Sequence, residues 1–188
     1  ACGHEGREGD STQNPAVLME GNRVLLAYRG RHDEILTLAD APGPAGPFTR
    51  LQGGSGLFPS TCAALRCNAS MCSNDVHLTG TIRTLGGPTT GPFHCLEDPF
   101  LFRLADGSYH MLLHNQAEKN WTGAHAFSAD GLNWTLARAP AYNCTVATHN
   151  GTITVSHREE PKLLMQDGHA THLINLVGGQ NGSRTHVQ

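Results

Sequence analysis

The chain has 188 residues, with 13 lysines and arginines against 16 aspartates and glutamates, a formal net charge of −3. That balance excludes a generic nucleic-acid binder, which needs surplus cations to neutralise phosphates. No apolar run approaches the roughly 18–20 residues of a membrane span, and a hydrophobic content of 38% is too high for a chain disordered throughout.

The predicted elements all point to β-structure. The chain opens at Ala1 without a Met or a leader peptide, so a processed or internal start is expected. From Gln13-Asn14-Pro15 a short apolar strand runs to a turn at Gly21-Asn22, and Arg23–Tyr28 returns. Glu34–Leu38 reads as a third strand, Pro42–Pro47 as a turn and Phe48–Leu51 as a fourth strand. Positions 53–96 read as a loop insertion flanked by glycine-rich stretches and holding four cysteines. The pattern then restarts. Glu97-Asp98-Pro99 leads an apolar strand, Asp106-Gly107 turns, and Tyr109–His114 returns. Gly123–Ser128, a turn at Asp130-Gly131 and Trp134–Ala137 complete four strands. A third start, Glu159-Glu160-Pro161, leads to a turn at Asp167-Gly168 and a strand at Thr171–Leu176.

Asp-Gly between apolar runs is a strong hairpin signal. Proline is expected at the first position of each leading strand, where no ladder donor is needed. Four antiparallel strands per repeat make the blade of a β-propeller, and repeats of this kind argue for radial architecture over a β-sandwich with coincidental hairpins. The blade-like units lie near 14–52, 97–140 and 159–177. Closure needs at least about four blades. The chain is therefore expected to be a single propeller domain that is incomplete as it stands or closes with other material.

Compartment is read from two features. Asn-X-Ser/Thr occurs at Asn68, Asn120, Asn133, Asn143, Asn150 and Asn181, the acceptor pattern of N-glycosylation in secreted proteins. The six cysteines, Cys2, Cys62, Cys67, Cys72, Cys95 and Cys144, form an even set expected to pair as disulfides. At least two of Cys62, Cys67, Cys72 and Cys95 should pair with each other, because nearby cysteines are the easiest to close. Their spacing lacks the paired knuckle of a zinc site. A secreted, extracellular glycoprotein with covalent N-glycans is expected.

Three motifs carry a family resemblance over roughly 14–177. Glu97-Asp98-Pro99-Phe100, Ser128-Ala129-Asp130-Gly131-Leu132-Asn133-Trp134 and Arg158-Glu159-Glu160-Pro161 resemble the five-bladed β-propeller glycoside hydrolases: arabinanases, β-xylosidases and invertase-like enzymes. The middle motif is also similar to the Asp-box of sialidase propellers, one residue short. The resemblance implies acidic residues at innermost strands pointing into a central pocket, where paired carboxylates flank a glycosidic bond. By position, Asp98 would tune the site and Glu159 or Glu160 would be the acid. Asn14 stands at the expected base position, and an amide cannot act as base or carboxylate nucleophile. Doubtful catalysis follows, with carbohydrate binding or an extracellular structural role (matrix, surface or filament component, with self-association) as the expectation. Active hydrolysis of arabino- or xylo-type polysaccharides is the alternative. The bland reading is that Asp98 and Glu160 simply bond turn amides.

No cofactor is expected beyond a structural cation on the propeller axis. Among 12 histidines, His110 and His114 share one face of a strand, and His169 and His172 sit three apart. Trp121, Trp134, Tyr28, Tyr109 and Tyr142 are candidates for stacking on sugar rings, and the two tryptophans for packing beside an adjacent glycan or in the blade.

Overall fold

The computed structural model describes residues 12–30, 36–51, 57, 96–115, 122–137, 139–179 and 182–187. Cys2, Cys62, Cys67, Cys72, Cys95, Asn68, Asn120, Trp121 and Asn181 lie outside them, as does nearly all of the predicted insertion at 53–96.

The first sheet has four strands in sequence order: β1 (Thr12–Glu20), β2 (Arg23–Gly30), β3 (Leu36–Ala41) and β4 (Thr49–Arg50). The second repeats it with β5 (Leu96–Arg103), β6 (Tyr109–Asn115), β7 (Thr122–Ser128) and β8 (Thr135–Leu136). A two-stranded ribbon, β9 (Thr145–Thr148) and β10 (Gly151–Thr154), leads to a three-stranded sheet of β11 (His157–Gln166), β12 (His169–Gly179) and β13 (Gly182–Val187). All neighbours pair antiparallel. No α-helix occurs among the described residues, so none there is long and apolar enough to cross a membrane. The meander of short strands with polar turns is the blade predicted from the repeat. Two details differ. The third sheet gains β13, and the ribbon was not read as strands, because its Thr-rich alternation is short and mostly polar.

The core follows from period-2 alternation. On β6, Tyr109, Met111 and Leu113 point to one face and join Leu96, Leu101, Ala124, Ala126, Trp134 and Leu136 of their sheet. Ala16, Leu25, Ala27, Leu36 and Leu38 of the first sheet close the same cluster. Met111, Leu113, Leu25 and Leu136 are completely buried. Gly123 allows a close approach: a Cβ there would sit 2.1 Å from Cε1 of Tyr142.

The turn after β7 shows why its sequence motif is built as it is. Asp130 Oδ1 accepts from the backbone N–H of Leu132 at 2.8 Å and of Asn133 at 2.7 Å. Ser128 Oγ accepts from Gly131 N at 2.9 Å, and Trp134 donates to the Gly131 carbonyl at 3.1 Å. Those N–H donors hold the Asp130 carboxyl well below the usual carboxylate range. Trp134, Tyr28, Tyr109 and Tyr142 are all buried. Their rings pack the blades and are withdrawn from any sugar, correcting the stacking expectation.

The prolines depart from expectation in position. Pro15, Pro99 and Pro161 lie inside β1, β5 and β11, each at a bulge where the ladder skips two residues: between Gln13 and Ala16, Glu97 and Phe100, Glu159 and Lys162. The residue before each proline is left-handed, with φ of 52° at Asn14, 50° at Asp98 and 50° at Glu160. Proline has no N–H to give the ladder, and the bulge re-aims the neighbouring side chain. A left-handed backbone costs a non-glycine residue roughly 1–2 kcal/mol. Three such residues in equivalent places persist only where something else holds them, and the hydrogen bonds to the Asp98 carboxylate do so.

Candidate functional site

The three bulges converge. Asn14, Pro15, Asp98, Pro99, Glu160 and Lys162 line a pocket of about 240 Å³, on the scale of a sugar ring or two and smaller than a typical drug-sized site. Asp98 is the hub. Its Oδ1 accepts a short hydrogen bond from the Asn14 side-chain amide. Its Oδ2 accepts from the backbone N–H of Glu160 at 3.2 Å and lies 3.6 Å from His114 Nδ1. One carboxylate thus ties together β1, its own β5, β6 and β11.

A buried charge cluster lies behind it. Glu97 pairs with Arg29 of β2, and its Oε1 is 3.1 Å from His114 Nδ1. Glu159 approaches the same nitrogen at 4.0 Å and pairs with His157 Nε2 at 3.3 Å. His157 in turn needs Gly178, where a Cβ would sit 1.8 Å from its Cε1. Burial alone would lower the pKa of His114. Hydrogen bonds to Asp98 and Glu97, with their negative charges, outweigh it and push the group up to about 9. His114 is therefore an imidazolium at neutral pH. It faces the carboxylates of Glu97, Asp98 and Glu159, and Arg29 pairs with the first of them.

This geometry tests the expected axial cation. Glu97, Asp98, His114 and Glu159 offer ligand atoms all within 4.8 Å of one another. His114 Nδ1 lies 3.1 Å from Glu97 Oε1 and 3.6 Å from Asp98 Oδ2, and its raised pKa keeps it protonated in this arrangement. A protonated imidazole has no lone pair there for a metal. As they stand the residues form an ion-pair network, and a cation drawn to the three carboxylates would have to displace the His114 proton.

The predicted site residues thus divide. Asn14, Asp98 and Glu160 come together at the pocket, while Glu159 turns into the charge cluster. Glu160 is exposed and lines the pocket together with Lys162, whose Nζ lies 5.9 Å from the Phe100 ring centroid. His110 is elsewhere: it bonds His125 at 2.9 Å and Ser108 at 2.9 Å near the sheet's far end. Burial holds both imidazoles below the usual histidine range. His169 and His172 are exposed on β12. Sequence reasoning missed Arg29, Glu97 and Lys162. Glu97 adjoins Asp98, and Lys162 follows the third motif proline where the other repeats have Ala16 and Phe100. Arg29 lies 68 positions from its partner and has no local signal.

No protein-family model matches the sequence, and a search of curated proteins finds no match. Solved structures do match. The Bombyx mori GH32 beta-fructofuranosidase BmSUC1 is 14% identical with a TM-score of 0.51, covering 92% of this chain and 32% of that one. A glycosyl hydrolase from Bacteroides ovatus is 15% identical with a TM-score of 0.46, covering 92% and 48%. The Penicillium chrysogenum alpha-L-arabinanase complexed with arabinobiose is 12% identical with a TM-score of 0.42, covering 97% and 59%. This chain therefore spans between a third and three-fifths of those proteins' lengths. Its bladed all-β fold is similar to that of the propeller glycoside hydrolases.

Proposed function

We propose that the chain is part of a secreted, N-glycosylated β-propeller glycoprotein that binds a neutral carbohydrate at the bulge pocket and hydrolyses it poorly. One observation carries the reading: Asn14 sits in the pocket as a hydrogen-bond donor to Asp98. Glycoside hydrolysis needs two carboxyl groups flanking the scissile bond, one acid and one base or nucleophile. Glu160 is an accessible acid. Across from it stands an amide, and Asp98 already accepts from Asn14 and the Glu160 N–H and lies 3.6 Å from His114 Nδ1. A carboxylate so engaged makes a poor nucleophile and a good anchor.

The lining also favours a ligand class. Asp98 and Glu160 against Lys162 leave a slight negative excess, which suits hydroxyl-rich neutral rings over polyanions. Solved relatives of this fold were captured with sucrose and with arabinobiose, which makes these sugars reasonable probes. The extracellular setting is supported by the sequons, three of which, Asn133, Asn143 and Asn150, are exposed.

The test is binding and turnover on the natural full-length protein. Sucrose, arabinobiose and xylobiose are titrated by calorimetry, and product is followed by chromatography. Binding without appreciable turnover, weakened by Glu160→Gln, is expected. Absence of binding to any neutral oligosaccharide refutes the reading. Robust turnover abolished by Glu160→Gln replaces it with active hydrolysis.

A further inference from the structure

We infer that Asn143 and Asn150 both carry N-glycans and that these glycans guard the open edge of the β9–β10 ribbon against pairing with another chain. The inference rests on the extracellular reading above. The ribbon joins the second sheet to the third and, among the described residues, has two strands, in the order β10–β9. A two-stranded ribbon is marginal by itself, and its inner side is anchored by Cys144 and Val146, both buried. Its outer side is Asn143, Thr145, Ala147 and Thr152, all exposed.

Strand β10 is the weak point. Every residue of Gly151–Thr154 is exposed, and Ile153 is 48% exposed. Natural edge strands are usually blunted by lysine, proline or an inward charge. The stretch Gly151-Thr152-Ile153-Thr154-Val155 has none of these and is rich in β-branched residues, the composition of a segment that stacks on copies of itself. The two acceptor asparagines bracket this edge. Asn150 is the residue before β10, at the hairpin tip, where Thr148 Oγ1 bonds the Gly151 carbonyl at 2.7 Å. Asn143 stands at the ribbon base, and its Oδ1 accepts the Thr145 N–H at 2.9 Å, leaving its side-chain nitrogen, the atom that carries a glycan, clear of that bond. Base and tip are roughly 20 Å apart at about 3.3 Å per residue, so the two glycans would screen the ribbon from both ends. Asn133 differs: its Nδ2 donates to Asp130 Oδ2 at 2.7 Å.

The experiment uses the full chain secreted from a eukaryotic host. Peptide mapping by mass spectrometry should find Asn143 and Asn150 glycosylated, and sedimentation should show no self-association through the ribbon. Asn143→Gln/Asn150→Gln together should self-associate at about tenfold lower concentration, the equivalent of about 1.4 kcal/mol. Thr152→Lys added to that double variant supplies a charge on the edge strand and should restore the original behaviour. Both asparagines unmodified in secreted protein would overturn the inference. So would a double variant that sediments like the parent, or one that Thr152→Lys fails to rescue. Glycans present with no sugar binding at the pocket would refute the proposed function and leave this inference standing.

Discussion

Replacing His114 with glutamine should destabilise the protein strongly at acid to neutral pH and hardly at all in mild alkali. His114 is fully buried and its pKa is raised from 6.5 to about 9. A shift of that size corresponds to about 3 kcal/mol of preferential stabilisation of the imidazolium in the folded state. The sign follows from linkage. A group that binds its proton more tightly when folded contributes fully below its unfolded pKa and loses that contribution as pH rises through the folded value. The contribution is therefore whole near pH 6, fades between 6.5 and about 9, and is nearly gone above it. Glutamine can neither take the charge nor offset Glu97 and Asp98. Urea unfolding of parent and His114→Gln at pH 6, 7.5 and 9 should show a stability gap of about 3 kcal/mol that closes to well under about 1 kcal/mol. A gap that is constant across the range would mean that His114 is neutral in the folded protein and that the ion-pair account of the axis is wrong.

Three other outcomes are expected. Gly123→Ala forces a Cβ into the Tyr142 ring, 2.1 Å from Cε1, and should cost about 3 kcal/mol in chemical unfolding. Asn14→Asp sets a second carboxylate against Asp98; it should raise turnover of arabinobiose at least tenfold while lowering stability by about 1–3 kcal/mol at neutral pH. Millimolar calcium or a chelator should leave the thermal midpoint unchanged, because His114 and Arg29 already pair with carboxylates that a cation would need; a marked rise with calcium would restore the axial cation.

Much of the architecture was legible because hairpins are local. Asp106-Gly107, Asp130-Gly131 and Asp167-Gly168 each turn where the sequence pattern puts a turn. The repeat of pre-proline polar residues also led to the pocket, since equivalent positions in equivalent sheets fall at equivalent places around an axis. Backbone geometry was not legible. Nothing in Asn14-Pro15 or Asp98-Pro99 announces a left-handed residue inside a strand, and proline read alone suggests a strand start. The choice between Glu159 and Glu160 needed the bulge, because shifting register by one residue exchanges pocket for charge cluster. Partners of high sequence separation, such as Arg29 with Glu97 and Asn14 with Asp98, have no local trace at all.

The hub at Asp98 has a consequence for how acidic residues in such proteins are interpreted. Its oxygens tie together the leading strands of all three sheets, and Asn14 and Glu160 each sit in a backbone conformation that is unfavourable without that hold. The side chain at position 14 can be an amide and still serve this junction, whereas the central carboxylate cannot be removed without loosening the sheets it joins. An acidic residue at this junction is explained by assembly before any chemistry is invoked for it.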